Sequence, residues 1–370
     1  MEHQFTPEFS IFMGMSLKRI VLAFSFVFVW VLTKILAINP EWTEQVYSNS
    51  LYTLISKLCR YAFGWVPFSV GDVCYTLLVL LLLRWLIKNW RRSYKDFKNW
   101  ILELLTGVSF IYLAFHCFWA FNYYRQPLHV NLEIGKDYST EQLVSVTELL
   151  IESSNNAHKA LQNMDSLKVE VPHSKKDILD MTQNGYKALS KSIPLFTYKP
   201  SSIKASLYSL PLTYMGFSGY LNPFTNEAQV DILIPKYQLP STASHEVAHQ
   251  LGYAAENEAN FIGMLACIHH PDPYFNYSGQ VFGLRYCLNE LYLRDQEAYQ
   301  QLRTKIRPGI FKNFKESRDF WNSYENPLEP LFKTTYDSYL KVNNQNKGIE
   351  SYSYVVALIV NYYDETPTKR

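Results

Sequence analysis

Three apolar runs constrain this chain more than anything else in it. Leu17 to Ala37 is almost unbroken hydrocarbon, with Lys18 and Arg19 at one end and Lys34 near the other. Val70 to Ile87 is interrupted by Asp72 near its start and Arg84 near its end, and Leu102 to Phe121 carries Glu103 at its edge and His116 inside. Each approaches the roughly 20 residues that a helix needs to cross a bilayer, with charges placed where long side chains can reach the interface. A chain with such runs is expected to be a membrane protein with three transmembrane helices in residues 1–121 and a separate domain in residues 122–370. A cleaved leader explains the first run less well, because its apolar core is long, lacks a small-residue cleavage site and is followed by two more runs.

The basic residues set the expected orientation. Lys88, Arg91, Arg92, Lys95 and Lys98 face a single Asp96 between the second and third runs, which places that loop in the cytoplasm. The N-terminus is then cytoplasmic, and everything after Phe121 lies on the outer side of a bacterial cytoplasmic membrane. Trp119, Tyr123 and Tyr124 suit the outer headgroup region. Asp72 and His116 raise the question of an intramembrane polar site, but a transporter needs more such groups than these runs offer. A formal charge of +2 gives no reason to expect a nucleic-acid partner, and the basic loop reads as a topology signal and lipid contact.

The chemistry is concentrated in Ser241 to Phe261. His245-Glu246-Val247-Ala248-His249 is an H-E-x-x-H run, and on a helix its two histidines share one face a turn apart, so both can address a single zinc ion. Glu246, beside them, is placed to act as the general base of a metallopeptidase. The uncharged flanks suit a half-buried helix, and Gly252 can end it in a left-handed conformation. A catalytic zinc site needs a third protein ligand. The pattern that places a histidine three residues past the glycine fails, since Ala255 stands there. Glu256 and Glu258 open a second apolar helix instead; Glu258 is the expected ligand, with Asn257 as cap and Glu256 as the alternative. The residue not chosen would orient a ligand histidine.

These features resemble a bacterial family known as domain of unknown function 3810. The resemblance rests on His245-Glu246-x-x-His249, Gly252 and Glu256-x-Glu258-Ala259-Asn260-Phe261, and on Asn122-Tyr123-Tyr124-Arg125-Gln126-Pro127-Leu128. Pro271-Asp272-Pro273-Tyr274 with Tyr277-Ser278-Gly279, and Ser338-Tyr339-Leu340-Lys341 with Gly348-Ile349-Glu350-Ser351-Tyr352, extend it over nearly the whole chain. It implies three membrane spans before a zinc peptidase domain with no assigned substrate. The Glu-Ala-Asn segment is also similar to repressor-cleaving metallopeptidases of mobile elements, whose third ligand precedes Ala-Asn; this similarity implies Glu258.

The rest of the outer region reads as mostly helical. Arg125 to Lys136 is an extended linker; Ser139 and Gln142 form a capping box for a helix to about Met164, followed by a helix over about 175–192. Ile203 to Ser209, Gly216 to Leu221 and Ala228 to Ile234 are the strand signals, with a turn over 222–227. Val230, Asp231, Ile232 and Leu233 are expected at an edge that pairs with an extended substrate. Tyr277 is the candidate transition-state donor. His269 and His270 read as surface residues, and Cys267 and Cys287 as either a bridge or two buried thiols. Helical segments with breaks near Pro308, Pro327 and 343–347 complete the chain.

The expected fold is mainly α: three transmembrane helices followed by a zincin-like α+β domain with a small sheet. The expected function is a membrane-anchored zinc peptidase acting on a peptide or protein of the cell envelope. The alternative is a non-catalytic, zinc-containing binding or assembly module tethered to the same membrane.

Overall fold

The computed structural model describes residues 20–343 and 352–365; Lys18 and Arg19, and the Gly348 to Ser351 segment of the resemblance, lie outside the described residues. The protein is mainly helical with one three-stranded sheet. Among the described residues two helices are long and apolar enough to cross a membrane: α3, Val70–Lys88, and α4, Phe97–Phe118. At 1.5 Å per residue they span about 28 and 33 Å, close to the hydrocarbon thickness of a bilayer. The first apolar run does not meet that length among the described residues. It is helical from Ile20 but turns at Phe24, and α1, Ser25–Ile38, has 14 residues. It packs against α4, where Ser109 Oγ donates to Ala23 O at 2.6 Å.

Between α1 and α3 the chain doubles back through α2, Tyr52–Phe63. This connection is part of the domain rather than a simple link. The start of α3 is fastened to the sheet from two sides. Glu227, fully buried, accepts from Val70 N and Gly71 N at 3.2 and 2.6 Å, so a carboxylate meets the positive end of the helix. Asp72 accepts from Ser206 Oγ, Leu207 N and Tyr220 OH. His116 is held elsewhere, by Tyr112 O on its own helix. Asp72 and His116 thus each have their own structural partners.

The outer helices begin where their caps predict. α5, Thr140–Leu161, has the Ser139–Gln142 capping box, and α6, Lys175–Leu189, has a second one from Ser174 and Asp177. β1 (Ile203–Ala205), β2 (Gly219–Asn222) and β3 (Glu227–Val230) form the sheet in the order β1-β3-β2, with β1 parallel and β2 antiparallel to β3. The β2–β3 turn is closed by Asn222 Oδ1, which accepts from Phe224 N and Thr225 N. Two helices follow in quick succession, α7 (Leu239–Gln250) and α8 (Glu256–Ile268). Gly252, at φ 88°, supplies the left-handed turn between them. Then come α9 (Pro273–Arg294), α10 (Gln296–Arg303), α11 (Pro308–Asn322), α12 (Glu329–Val342) and α13 (Tyr352–Glu365). The main core gathers apolar faces of α5 to α9 and α13.

Several sequence expectations change on folding. Arg125 to Lys136 is not simply extended: it contains a short helix, Leu128–Asn131, and Arg125 is buried against Glu44 at 2.6 Å. Trp119, Tyr123 and Tyr124 are buried against Tyr47, Tyr52 and Ala254 rather than displayed at a membrane surface. His270 is also buried. Its ring stacks on Phe275, Nε2 meets Met181 O at 3.0 Å, and Nδ1 accepts from Asp272 N. Cys267 and Cys287 are two buried free thiols.

Candidate metal centre

The centre is built on α7. His245 and His249, four residues apart, bring their rings to 4.6 Å between centroids, nearly perpendicular. One donor atom from each of His245, Glu246 and His249 lies within 4.8 Å of the others. The first residue of α8 completes the group: Glu256 Oε2 is 3.3 Å from His245 Nε2, and Oε1 is 3.5 Å from His249 Nε2. Glu256, not Glu258, is therefore the carboxylate that faces both histidines.

Helix geometry explains the exchange. Ala255 is the N-cap of α8, two residues earlier than a cap at Asn257. Glu256 and Glu258 then point about 200° apart around the helix. Glu258 turns away and accepts from Leu128 N at 2.7 Å, in the neighbourhood of Arg125. It ties the segment after α4 to the start of α8. Arg125 Nη1 donates to Gly252 O in the same turn, and its guanidinium covers the Tyr253 ring at 4.0 Å.

The last carbonyls of α7 would otherwise lack partners. Tyr52 OH reaches His249 O and Gln250 O, Ser56 Oγ reaches Gln250 O, and Trp119 Nε1 reaches His249 O. The first loop and the end of α4 thus hold the H-E-x-x-H helix from behind. Within the site, His249 Nδ1 lies 2.7 Å from Tyr253 O. With its proton there, Nε2 is left as the ligating atom, which is the usual role of an outer partner of a metal-binding histidine.

The electrostatics suit a cation. Burial raises the Glu246 carboxyl to about 7, against the opposing pull of His245 and His249. Glu256 is held well below the usual carboxylate range: burial opposes ionisation, but the two imidazoles outweigh it. His249 shows the reverse balance, with burial lowering it and the Glu256 charge and hydrogen bond raising it to about 9. The group favours positive charge between its ligating atoms. A divalent ion can supply that charge in place of a proton. Two imidazoles and a carboxylate are the donor set of a catalytic zinc site, and Glu246 Oε2 is buried with no hydrogen-bond partner.

The group opens into a cavity of about 820 Å³. β2 forms one wall, and it lies so close to the site that a Cβ on Gly219 would be 2.6 Å from Glu246 Oε1 and 2.7 Å from Gln229 O. β3 is the central strand, paired on both sides. Val230 therefore cannot offer a free edge, and Asp231, Ile232 and Leu233 lie beyond the strand in a turn. Asp231 accepts from Thr213 Oγ1 and Leu233 N, a local structural role. The open edge beside Glu246 is β2. Tyr277 is likewise not at the centre: it is fully buried and donates to Asn313 Oδ1 at 2.7 Å.

Tyr336 was not evident from the sequence. Its hydroxyl donates to Glu256 Oε1 at 2.6 Å from α12, about 80 residues away in the chain. Tyr339, one turn on, accepts from Tyr123 OH at 3.1 Å. The i,i+3 tyrosine pair was visible, but it is one among 28 tyrosines.

The family model of DUF3810, a protein of unknown function, matches residues 47–360. That span contains both long apolar helices and every residue of the centre. No curated protein and no solved structure matches the chain.

Proposed function

The chain belongs to the DUF3810 family, and from the site it carries we propose that it is a membrane-anchored zinc metallopeptidase with a zincin-like outer domain. It would hydrolyse peptide bonds of cell-envelope substrates on the outer side of the bacterial cytoplasmic membrane. The observation that carries this reading is the convergence of Glu256 on His245 Nε2 and His249 Nε2, with Glu246 beside them, at the mouth of a large cavity.

His245, His249 and Glu256 would hold the ion. Zinc bound there supplies Lewis-acid polarisation of the scissile carbonyl and lowers the pKa of a water. Glu246 takes the proton from the attacking water and passes it to the leaving amine; a carboxyl raised to about 7 is matched to both transfers. The β2 edge receives the extended substrate backbone, the pairing by which peptides commonly add to a sheet.

The two long apolar helices, α3 and α4, are the proposed spans, and the packing supports the topology. The 39–69 connection and the chain beyond Trp119 pack together around α7, whereas the basic 88–101 loop lies at the other ends of α3 and α4. The first loop and the outer domain would therefore share one side of the bilayer and the basic loop the other.

The test is metal content of the full-length protein in detergent. One zinc per chain, lost in His249→Ala and retained in Glu246→Gln, is expected, together with cleavage of a peptide library by the wild type but not by Glu246→Gln. A zinc-replete protein without turnover would leave the alternative, a tethered zinc-containing binding module.

A further inference from the structure

The wall of the cavity opposite the metal group comes from the membrane helices. Tyr75 and Leu78 of α3 and Ile111 and Phe115 of α4 line the same space as His245, Glu246 and Glu256. Leu78 lies about 12 Å along the axis from the start of α3, and Ile111 about 10 Å from the end of α4. Leu78 and Ile111 are also 45% and 42% exposed. They continue into the apolar rows that the two helices show to their surroundings, among them Leu77, Leu81 and Val108. The cavity therefore runs from the proposed catalytic carboxylate at the membrane surface down between faces that would meet lipid.

The lower part of that space is poor in partners for a peptide backbone. Tyr208 OH is turned to Asp72 O, and Tyr220 OH to the Asp72 carboxylate. Peptide N–H and C=O groups at that depth would lose water without replacement, which is costly in a hydrocarbon environment. An alkyl chain has no such groups. A polar segment, by contrast, finds a strand edge at the upper end, on β2.

We infer that the substrate is a fatty-acylated peptide: its acyl chain enters sideways from the outer leaflet and lies between α3 and α4, while its backbone meets β2 beside Glu246. This rests on the peptidase reading for the bond broken. In that step the water oxygen bonds to the carbonyl carbon and the C–N bond breaks; one water proton passes to the leaving nitrogen and the other is released as the new carboxylic acid ionises, giving a carboxylate and an amine.

The test separates binding from turnover. Full-length Glu246→Gln protein in lipid nanodiscs is exposed to an N-palmitoyl octapeptide carrying a diazirine on its chain, and to the same octapeptide without the palmitoyl group. Labelling at Tyr75, Leu78, Ile111 or Phe115 is expected, with the palmitoylated form competing at least about tenfold more tightly for the cavity, a difference readily resolved in a displacement assay. Leu78→Arg with Ile111→Arg should remove that preference with zinc content unchanged. Labels confined to α3 and α4 residues away from the cavity, or equal competition by both peptides, would overturn the inference, as would selective labelling by a transmembrane peptide alone. Chain-dependent binding without hydrolysis by the wild type upholds the acyl-chain site and removes the peptidase reading.

Discussion

The Tyr336 hydroxyl donates to Glu256 Oε1 at 2.6 Å, so a residue of α12 orients the carboxylate that faces both histidines of α7. Loss of such an outer partner typically costs 10- to 100-fold in metal affinity. Tyr336→Phe is expected to keep one zinc per chain at saturation but to bind it about tenfold more weakly or worse, measured by competition with a chromophoric chelator. An unchanged affinity would leave Tyr336 as a wall residue only.

The two glutamates of α8 should separate cleanly. Glu256→Gln is expected to lose most bound zinc. Glu258→Gln should retain it, since that side chain accepts from Leu128 N and can still do so as an amide. Elemental analysis of the two purified proteins decides it; zinc lost in Glu258→Gln and kept in Glu256→Gln would reverse the assignment.

Glu246→Gln removes the proton acceptor and leaves the histidines intact. Turnover should fall by about 10²- to 10⁴-fold, the usual contribution of a positioned general base, with the metal retained. Full activity in this variant would end the proposed mechanism.

Gly219→Ala tests the closeness of β2 to the site. The new methyl would lie 2.6 Å from Glu246 Oε1 and 2.7 Å from the Gln229 carbonyl oxygen, and the second of these is backbone. Overpacking of this kind costs about 1–3 kcal/mol. A lower melting temperature and impaired turnover are expected together, read by calorimetry and peptide assay.

His158 gives a pH dependence outside the candidate metal centre. Burial lowers its pKa from the ordinary 6.5; the Leu167 carbonyl pulls the other way, and the Arg307 guanidinium adds to the lowering. Arg307 Nε donates to Nδ1, and Nε2 meets Leu167 O. The unfolded chain therefore takes up a proton near pH 6.5 that the folded one refuses. Stability from this group is complete above about pH 6.5 and falls as the pH drops toward the lower folded value. His158→Gln, which can keep both hydrogen bonds, should show a smaller loss of melting temperature between pH 7.5 and 5.5 than the wild type.

Much of this protein was written locally in its chain. The presence of α3 and α4 follows from long apolar runs, and the α5 boundary follows from Ser139 and Gln142, because both depend on residues close in sequence. The same holds for His245, Glu246 and His249, whose shared helix face needs only a period of 3.6, and for Gly252, whose left-handed φ no bulky residue adopts cheaply. A two-residue difference in the start of α8 was enough to exchange Glu258 for Glu256. Two residues of phase rotate a helical side chain by about 200°, and capping preferences do not resolve that.

What remained was decided by contacts between distant segments. Strand order placed β3 in the middle and left β2 as the edge beside Glu246, which hydrophobic alternation cannot specify because it reports faces and not neighbours. Tyr336 reaches Glu256 across 80 residues, Tyr52 and Trp119 hold the end of α7, and Tyr277 is drawn into the core by Asn313. The sequence by itself determined that α3, α4 and α5 form and that His245, Glu246 and His249 share a helix face, since those are properties of local period and residue type. Only the tertiary structure decided which carboxylate faces the histidines and that the cavity opens against α3 and α4, because those depend on how whole elements are oriented when their apolar faces are buried together.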